Sequence, residues 1–331
     1  MEISFGIEFL ANEPAEKLAD LVKTSENNGL AYAWITDHYN NRDAYALLTY
    51  IAANTSKIKL GPGVTNPYTR TPAQLTSAIA TVNEVSKGRA VFGIGPGDRV
   101  TFDGLGIEWE KPLTTVKETV EIFRELLTGK KISYDGKMCK IKSAKLNFSK
   151  GANIPVYIGA QGTNMLKLAG ELAEGALVNG SHPRDFESAV KLLKEGTDKA
   201  NKNFEDFDVA AYTSFSIADT MADAEKTAKP VTAFIVAGSP DVVFEKHGIP
   251  IEDVNKVRDG FKESFGAAIK AVTPEMLDAF SICGTPNECI EKIDKLIKAG
   301  VTQVIPGSPL GPDKVKSIEL IGTQLIPHFV K

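Results

Sequence analysis

The pentapeptide FGIEF, Phe5 to Phe9, sets a carboxylate, Glu8, inside the first apolar run of the chain. A buried acid must be paired, hydrogen-bonded or protonated. A basic partner would make Glu8 structural, whereas an apolar surround would raise its pKa and let it deliver a proton near neutral pH as a general acid. Four other segments carry groups that could bind or react. TDHYN places Asp37 beside His38; the two could begin a zinc site, but no third ligand stands at a recognisable spacing, so hydrogen bonds to a cofactor are the better reading. In GPGVTNPYTRTP, glycines allow backbone shapes that Val64 would resist. A turn accounts for those glycines but not for the crowding of Gly63, Val64, Thr65 and Asn66 at one point. GIGPGD, with Gly97 and Asp98, resembles a dinucleotide loop, yet its GxGxxG pattern is incomplete and it follows the fourth strand rather than the first, which argues against a Rossmann site. IGAQGTN, with Gly159, Ala160, Gln161 and Gly162, opens a helix with small residues, so backbone N–H groups there could approach a phosphate; a bare strand-to-helix turn is the plainer alternative.

These segments need elements to hold them. Short apolar runs alternate with helical patterns along most of the chain, as in βα units on a parallel sheet. Strands are expected at FGIEF, AYAWITD, IKLGPGVT, RAVFGIGPGD, PVYIGA, ALVNG, DVAAYTSFSIA and TQVIPGSPLG. Pro14 and Gly29 bracket the first helix, while Thr71, Pro72 and Gly88 supply the cap, first turn and stop of the third. Residues 130–153 break the rhythm with alternating residues around Tyr-Asp-Gly, which predicts a hairpin-like insertion. Residues 219–282 read as a mostly helical insertion. Eight βα-like units with no linker favour one domain over residues 1–331, an α/β fold of the (β/α)8 TIM-barrel kind, rather than an open doubly wound sheet. In such barrels ligands bind at the C-terminal ends of the strands, where each of these segments falls.

Composition narrows the function classes. The 331 residues are 43% hydrophobic and 24% charged, as in ordinary globular proteins. A net charge of -4 offers no basic field for nucleic acid. The sequence shows neither a leader-like start nor an apolar run of membrane-spanning length, so the expectation is a cytoplasmic protein with no membrane partner. Cys139, Cys283 and Cys289 have no CxxC spacing and are expected to be reduced, with no metal role.

Taken in order, FGIEF, WITDH, GPGVTNPYTRTP, GIGPGD and IGAQGTNMLKLAGELAEGAL resemble the bacterial-luciferase-like superfamily. Over nearly its full length the chain resembles the methylenetetrahydromethanopterin reductases of methanogenic archaea, which use coenzyme F420, an 8-hydroxy-5-deazaflavin. The resemblance implies a (β/α)8 barrel of the bacterial-luciferase-like type with insertion regions, a tetrahydromethanopterin-type one-carbon substrate and a homo-oligomer. It implies reversible hydride transfer from the reduced deazaflavin to the methylene substrate, giving the methyl form. Asp37, His38, Thr65, Asn66, Gly97 and Asp98 would then line the ring and its side chain, and a cis Gly63–Val64 peptide would back the ring. Gly159, Ala160, Gln161 and Gly162 would receive the phosphate. Glu8 would protonate the departing nitrogen. The rivals are an FMN-dependent monooxygenase, an F420-dependent alcohol or sugar-phosphate dehydrogenase using a base such as His38, and a cofactor-binding protein without turnover.

Overall fold

The computed structural model describes residues 2–330 apart from Ser149. The first half of the barrel runs β1 (Ser4–Phe9), α1 (Ala15–Asn27), β2 (Tyr32–Ile35), α2 (Ala44–Asn54), β3 (Lys59–Pro62), α3 (Pro72–Val85), β4 (Phe92–Ile94), α4 (Arg99–Leu105) and α5 (Pro112–Leu127). An antiparallel hairpin follows, β5 (Ile132–Asp135) and β6 (Lys140–Ala144), within the range 130–153. Next come β7 (Val156–Gly159), α6 (Thr163–Leu172), β8 (Gly175–Asn179), α7 (Pro183–Lys199) and β9 (Asp208–Ile217). Five helices occupy the excursion after β9: α8 (Met221–Gly238), α9 (Asp241–His247), α10 (Ile251–Glu263), α11 (Phe265–Lys270) and α12 (Pro274–Phe280). The chain closes with β10 (Ile282–Gly284), α13 (Pro286–Lys298), β11 (Gln303–Leu310), α14 (Lys314–Leu320) and α15 (Ile326–Phe329).

The barrel strands lie in the order β3-β2-β1-β11-β9-β8-β7-β4, with every pairing parallel. Bridges from Leu60 to Ala90 and from Thr65 to Ile94 join β3 to β4 and close the ring. Two features depart from the sequence reading. The helical range 219–282 ends in a strand: Ile282 opens the short β10, which pairs with β9. The loop after β4 contains a further helix, α4; a seven-residue helix with an interior glycine carries too little periodicity to be read in advance.

Alternation along the strands divides the interior in two. On β1, Phe5, Ile7 and Phe9 join the large core between barrel and helices. Gly6 faces the lumen, where an added Cβ would meet Gln303 and the Trp34 ring nitrogen. Inside the barrel, Trp34, Val91, Tyr157, Leu177, Ala210 and Ile305 form a separate core. At the N-terminal end of the strands, Asp208 accepts hydrogen bonds from Thr302, Tyr157 and Gln303, at 2.6, 2.9 and 2.7 Å. The Gln303 amide oxygen in turn accepts from Trp34. This satisfied polar plug closes the bottom of the barrel, as buried polar groups require. The helices after β9 pack on a core of their own, including Phe244, Val254, Met276 and Phe280. Among the described residues no helix is long and apolar enough to cross a membrane.

Candidate active site

Glu8 follows Gly6 on the lumen side of β1, which is why a core strand can carry an acid: its neighbours feed the outer core while it points inward. Its partner comes from an irregularity in β11. Gly307 pairs with Ser214 and Pro309 with Phe215, so Ser308 is the extra residue of a bulge and its N–H is released from the ladder. That N–H donates to Glu8 Oε2 at 2.7 Å. Gly307 admits the carboxylate, since a Cβ there would lie 2.8 Å from Oε2. Glu8 is 4% exposed. Burial raises its pKa above the ordinary 4.5, against the opposing pull of Ser308 and the nearby charge of Lys314. Lys314 itself bonds Glu13 at 3.0 Å, so Glu8 has a backbone donor for a partner rather than a basic side chain.

A cavity of about 720 Å³ opens at the C-terminal ends of the strands, within the range of small-molecule and cofactor sites. Asp37, His38, Gly63, Val64, Thr65, Asn66, Gly97, Asp98, Gly159, Ala160, Gln161 and Gly162 all line it. Glu8 does not reach its lining. The carboxylate stays against Gly307 and Ser308, close enough to the cavity residue Tyr212 for its charge to oppose ionisation of the phenol.

The Gly63–Val64 peptide is cis and forms the ledge of the cavity. From Leu60 to Thr65 is five steps, against four from Ala90 to Ile94, so β3 bulges by one residue here. Val64 sits in a notch made by two glycines of other strands: a Cβ on Gly95 would meet its Cγ2 at 2.7 Å, and one on Gly159 would meet both its methyls at 3.3 Å. Gly63 N–H donates to the Ile35 carbonyl, while Thr65 exchanges backbone bonds with Gly93 and Gly95.

The loops above are fixed by their own polar groups. The Thr65 hydroxyl donates to Asp37 Oδ2 at 2.7 Å, and Arg70 donates to the same oxygen at 2.7 Å and to Asp43 at 2.5 Å. Burial works against ionised Asp43, but the Ala46 N–H and Arg70 hold its pKa below the ordinary value. Asp37 is therefore engaged by protein groups and orients Thr65, whereas His38 is exposed at the rim. Asn66 Oδ1 caps the Tyr68 and Thr69 N–H groups, and Asp98 caps α4 at Thr101. Gly97 has φ +67, with the Phe102 ring where a side chain would go.

Helix α6 differs from α4. Its N-cap is Gly162, with no side-chain cap. The first N–H groups of a helix have no partner within it, and here they open beside cavity residues, with the helix dipole aligned behind them. Ala160 N–H is spent on Leu177 O, and the Gln161 side chain bonds Asn179 O; the donors are thus those of the helix start.

Sequence reasoning passed over Tyr212, Arg70, Trp109 and Leu177, all in the cavity wall. Arg70 stood within GPGVTNPYTRTP, but its acids, Asp37 and Asp43, lie 33 and 27 residues upstream and meet it only in the fold. Tyr212 stood two places after Ala210, and so on the same face of its strand, but nothing in the strand marked that face as the lumen side. Trp109 gave no periodic signal. VNGSHP supplies Asn179 to the cavity, while His182 caps α7 and meets His247 of the helical excursion edge-on at 5.2 Å.

The luciferase-like monooxygenase family model matches residues 4–303. A 5,10-methylenetetrahydromethanopterin reductase from Archaeoglobus fulgidus is 53% identical over 99% of this chain and 100% of its own length. One from Methanolobus tindarius is 51% identical over 98% and 100%. The solved structure of the coenzyme F420 dependent tetrahydromethanopterin reductase from Methanopyrus kandleri superposes with a TM-score of 0.96 at 47% identity, covering 99% of this chain and 100% of that one. The chain belongs to the luciferase-like monooxygenase family and, within it, to the group of the 5,10-methylenetetrahydromethanopterin reductases.

Proposed function

We propose that this protein catalyses reversible hydride transfer from reduced coenzyme F420 to 5,10-methylenetetrahydromethanopterin, giving 5-methyltetrahydromethanopterin. The observation that carries this reading is a full-length likeness to reductases of that name, joined to a cavity whose parts suit a planar cofactor with a phosphate-bearing tail. The Gly63–Val64 ledge offers a flat backing, and the uncapped start of α6 beside Gly162 offers free N–H donors for the phosphate. When bound, the deazaflavin supplies the hydride; the chain supplies alignment, water exclusion and proton control.

The methylene carbon bridges two nitrogens and accepts hydride poorly until one C–N bond opens. Glu8 would protonate the departing nitrogen, leaving an iminium carbon as the acceptor, and would recover its proton in the reverse direction. Oε2 is held by the Ser308 N–H, so the proton to be delivered is assigned to Oε1. Desolvation of Glu8 supports this role, because it favours the neutral acid. Since the carboxyl group lies beside Tyr212 and Gly307 rather than on the cavity wall, the substrate nitrogen must approach over that edge.

Oxidation of reduced F420, followed by its absorbance with and without methylenetetrahydromethanopterin, tests the assignment. Substrate-dependent oxidation is expected, and its absence in protein that binds the cofactor would overturn it. We also read the enzyme as a cytoplasmic homo-oligomer: its cysteines are buried free thiols, and Phe234 and Phe265 expose apolar surface that a second copy could cover.

A further inference from the structure

The Gly63 carbonyl at the ledge points into the lumen, away from both neighbouring strands. Its donor comes from across the barrel: the Tyr212 hydroxyl donates to Gly63 O at 2.8 Å. Tyr212 lies on β9, in register with Asn179 of β8 and Ile305 of β11. In the ring of strands, β2, β1 and β11 separate β9 from β3. The bond is thus a strut across the lumen, between two walls of the cavity that no backbone ladder connects. Gly63 is pressed from two sides at this point, because an added Cβ would lie 2.7 Å from the Trp34 Cβ and 3.2 Å from the Tyr212 hydroxyl. Burial pushes the phenol pKa well above its ordinary value, so the group stays an O–H donor.

We propose that Tyr212 is a positioning residue for the hydride transfer, holding the Gly63–Val64 ledge in register with the side of the barrel that carries Glu8 and the Ser308 bulge. The inference rests on the cofactor reading above. The other backbone bonds of the ledge, Gly63 N–H to Ile35 and those of Thr65 to β4, fix it only to its immediate neighbours. Tyr212 alone among these partners ties it to the far wall. Without the hydroxyl, the carbonyl has no other donor among the described residues and the ledge is free to shift relative to Glu8.

The test is Tyr212→Phe, read by quenching of F420 fluorescence on titration, by steady-state kinetics and by thermal unfolding without cofactor. A partly buried carbonyl left without its donor at the binding surface should weaken F420 affinity about tenfold and lower kcat, with KM for the one-carbon substrate within about twofold of wild type. A fall in melting temperature with unchanged F420 affinity and kcat would make Tyr212 merely structural and overturn the proposal. Should the Phe variant fail to fold, p-fluorophenylalanine and p-aminophenylalanine at position 212 keep the contour of the ring, and only the second keeps a donor. The amino form should then bind F420 about tenfold more tightly than the fluoro form, and equal affinities would refute the strut. Failure of the wild-type protein to bind F420 would overturn the cofactor reading and this inference together, whereas normal wild-type binding with an indifferent Tyr212→Phe overturns the inference alone.

Discussion

Replacing Glu8 by Gln removes the transferable proton while preserving shape and an oxygen that can still accept the Ser308 N–H. If Glu8 is the acid, turnover should fall about 10²- to 10⁴-fold, the usual worth of a positioned general acid, with F420 affinity within about twofold because Glu8 stands outside the cavity lining. The pH profile carries a second signature. Burial raises the folded pKa of Glu8, and the acid acts only while protonated, so wild-type kcat should decline as pH rises through that value. The residual rate of the Gln variant should lack this limb. Stability follows the same sign: an acid whose folded pKa exceeds its unfolded value favours folding below the unfolded pKa and loses that benefit as pH rises through the folded one. Each unit of elevation corresponds to about 1.4 kcal/mol. At pH 8 the Gln variant should therefore unfold at higher urea than wild type, with the difference vanishing near pH 4. Turnover within about threefold of wild type would refute the acid role, and a variant less stable at pH 8 would refute the account of burial.

Three further perturbations test separate parts of the site. Gly162→Asp puts a capping carboxylate at the start of α6; it should raise helix stability by only a few tenths of a kcal/mol while weakening F420 binding at least tenfold, and calorimetry with fluorescence titration reads both. Arg70→Ala leaves Asp37 with the Thr65 hydroxyl and Asp43 with the Ala46 N–H; because Arg70 is partly exposed, a loss of about 1–2 kcal/mol in urea unfolding is expected. Asp208→Asn disturbs a carboxylate served by three donors at the opposite end of the barrel; stability should drop by about 1–3 kcal/mol with kcat unchanged, and an altered kcat would mean that the polar plug communicates with the cavity.

Legibility in the sequence followed the range over which each signal acts. Thr71 with Gln74 forms the reciprocal cap at the start of α3, a local motif readable in four residues, and the spacing of apolar runs was enough to give eight barrel strands. The cavity-wall residues of the five segments after the first strands were legible because strand ends converge in a barrel wherever they lie in the chain, whereas Tyr212, Leu177 and Trp109 lie outside those segments. What could not be read was pairing across the lumen. Gly95 and Gly159 look like independent turn glycines, and nothing local says that both face the methyls of Val64. Ser308 is an ordinary residue in an apolar strand until a register shift against β9 frees its N–H for Glu8. The same holds for Tyr212, whose partner is 149 residues away. A sequence can therefore nominate the acid and the ledge, because each breaks a local pattern. The bond that fixes one relative to the other breaks none, and it exists only once the ring of strands has closed.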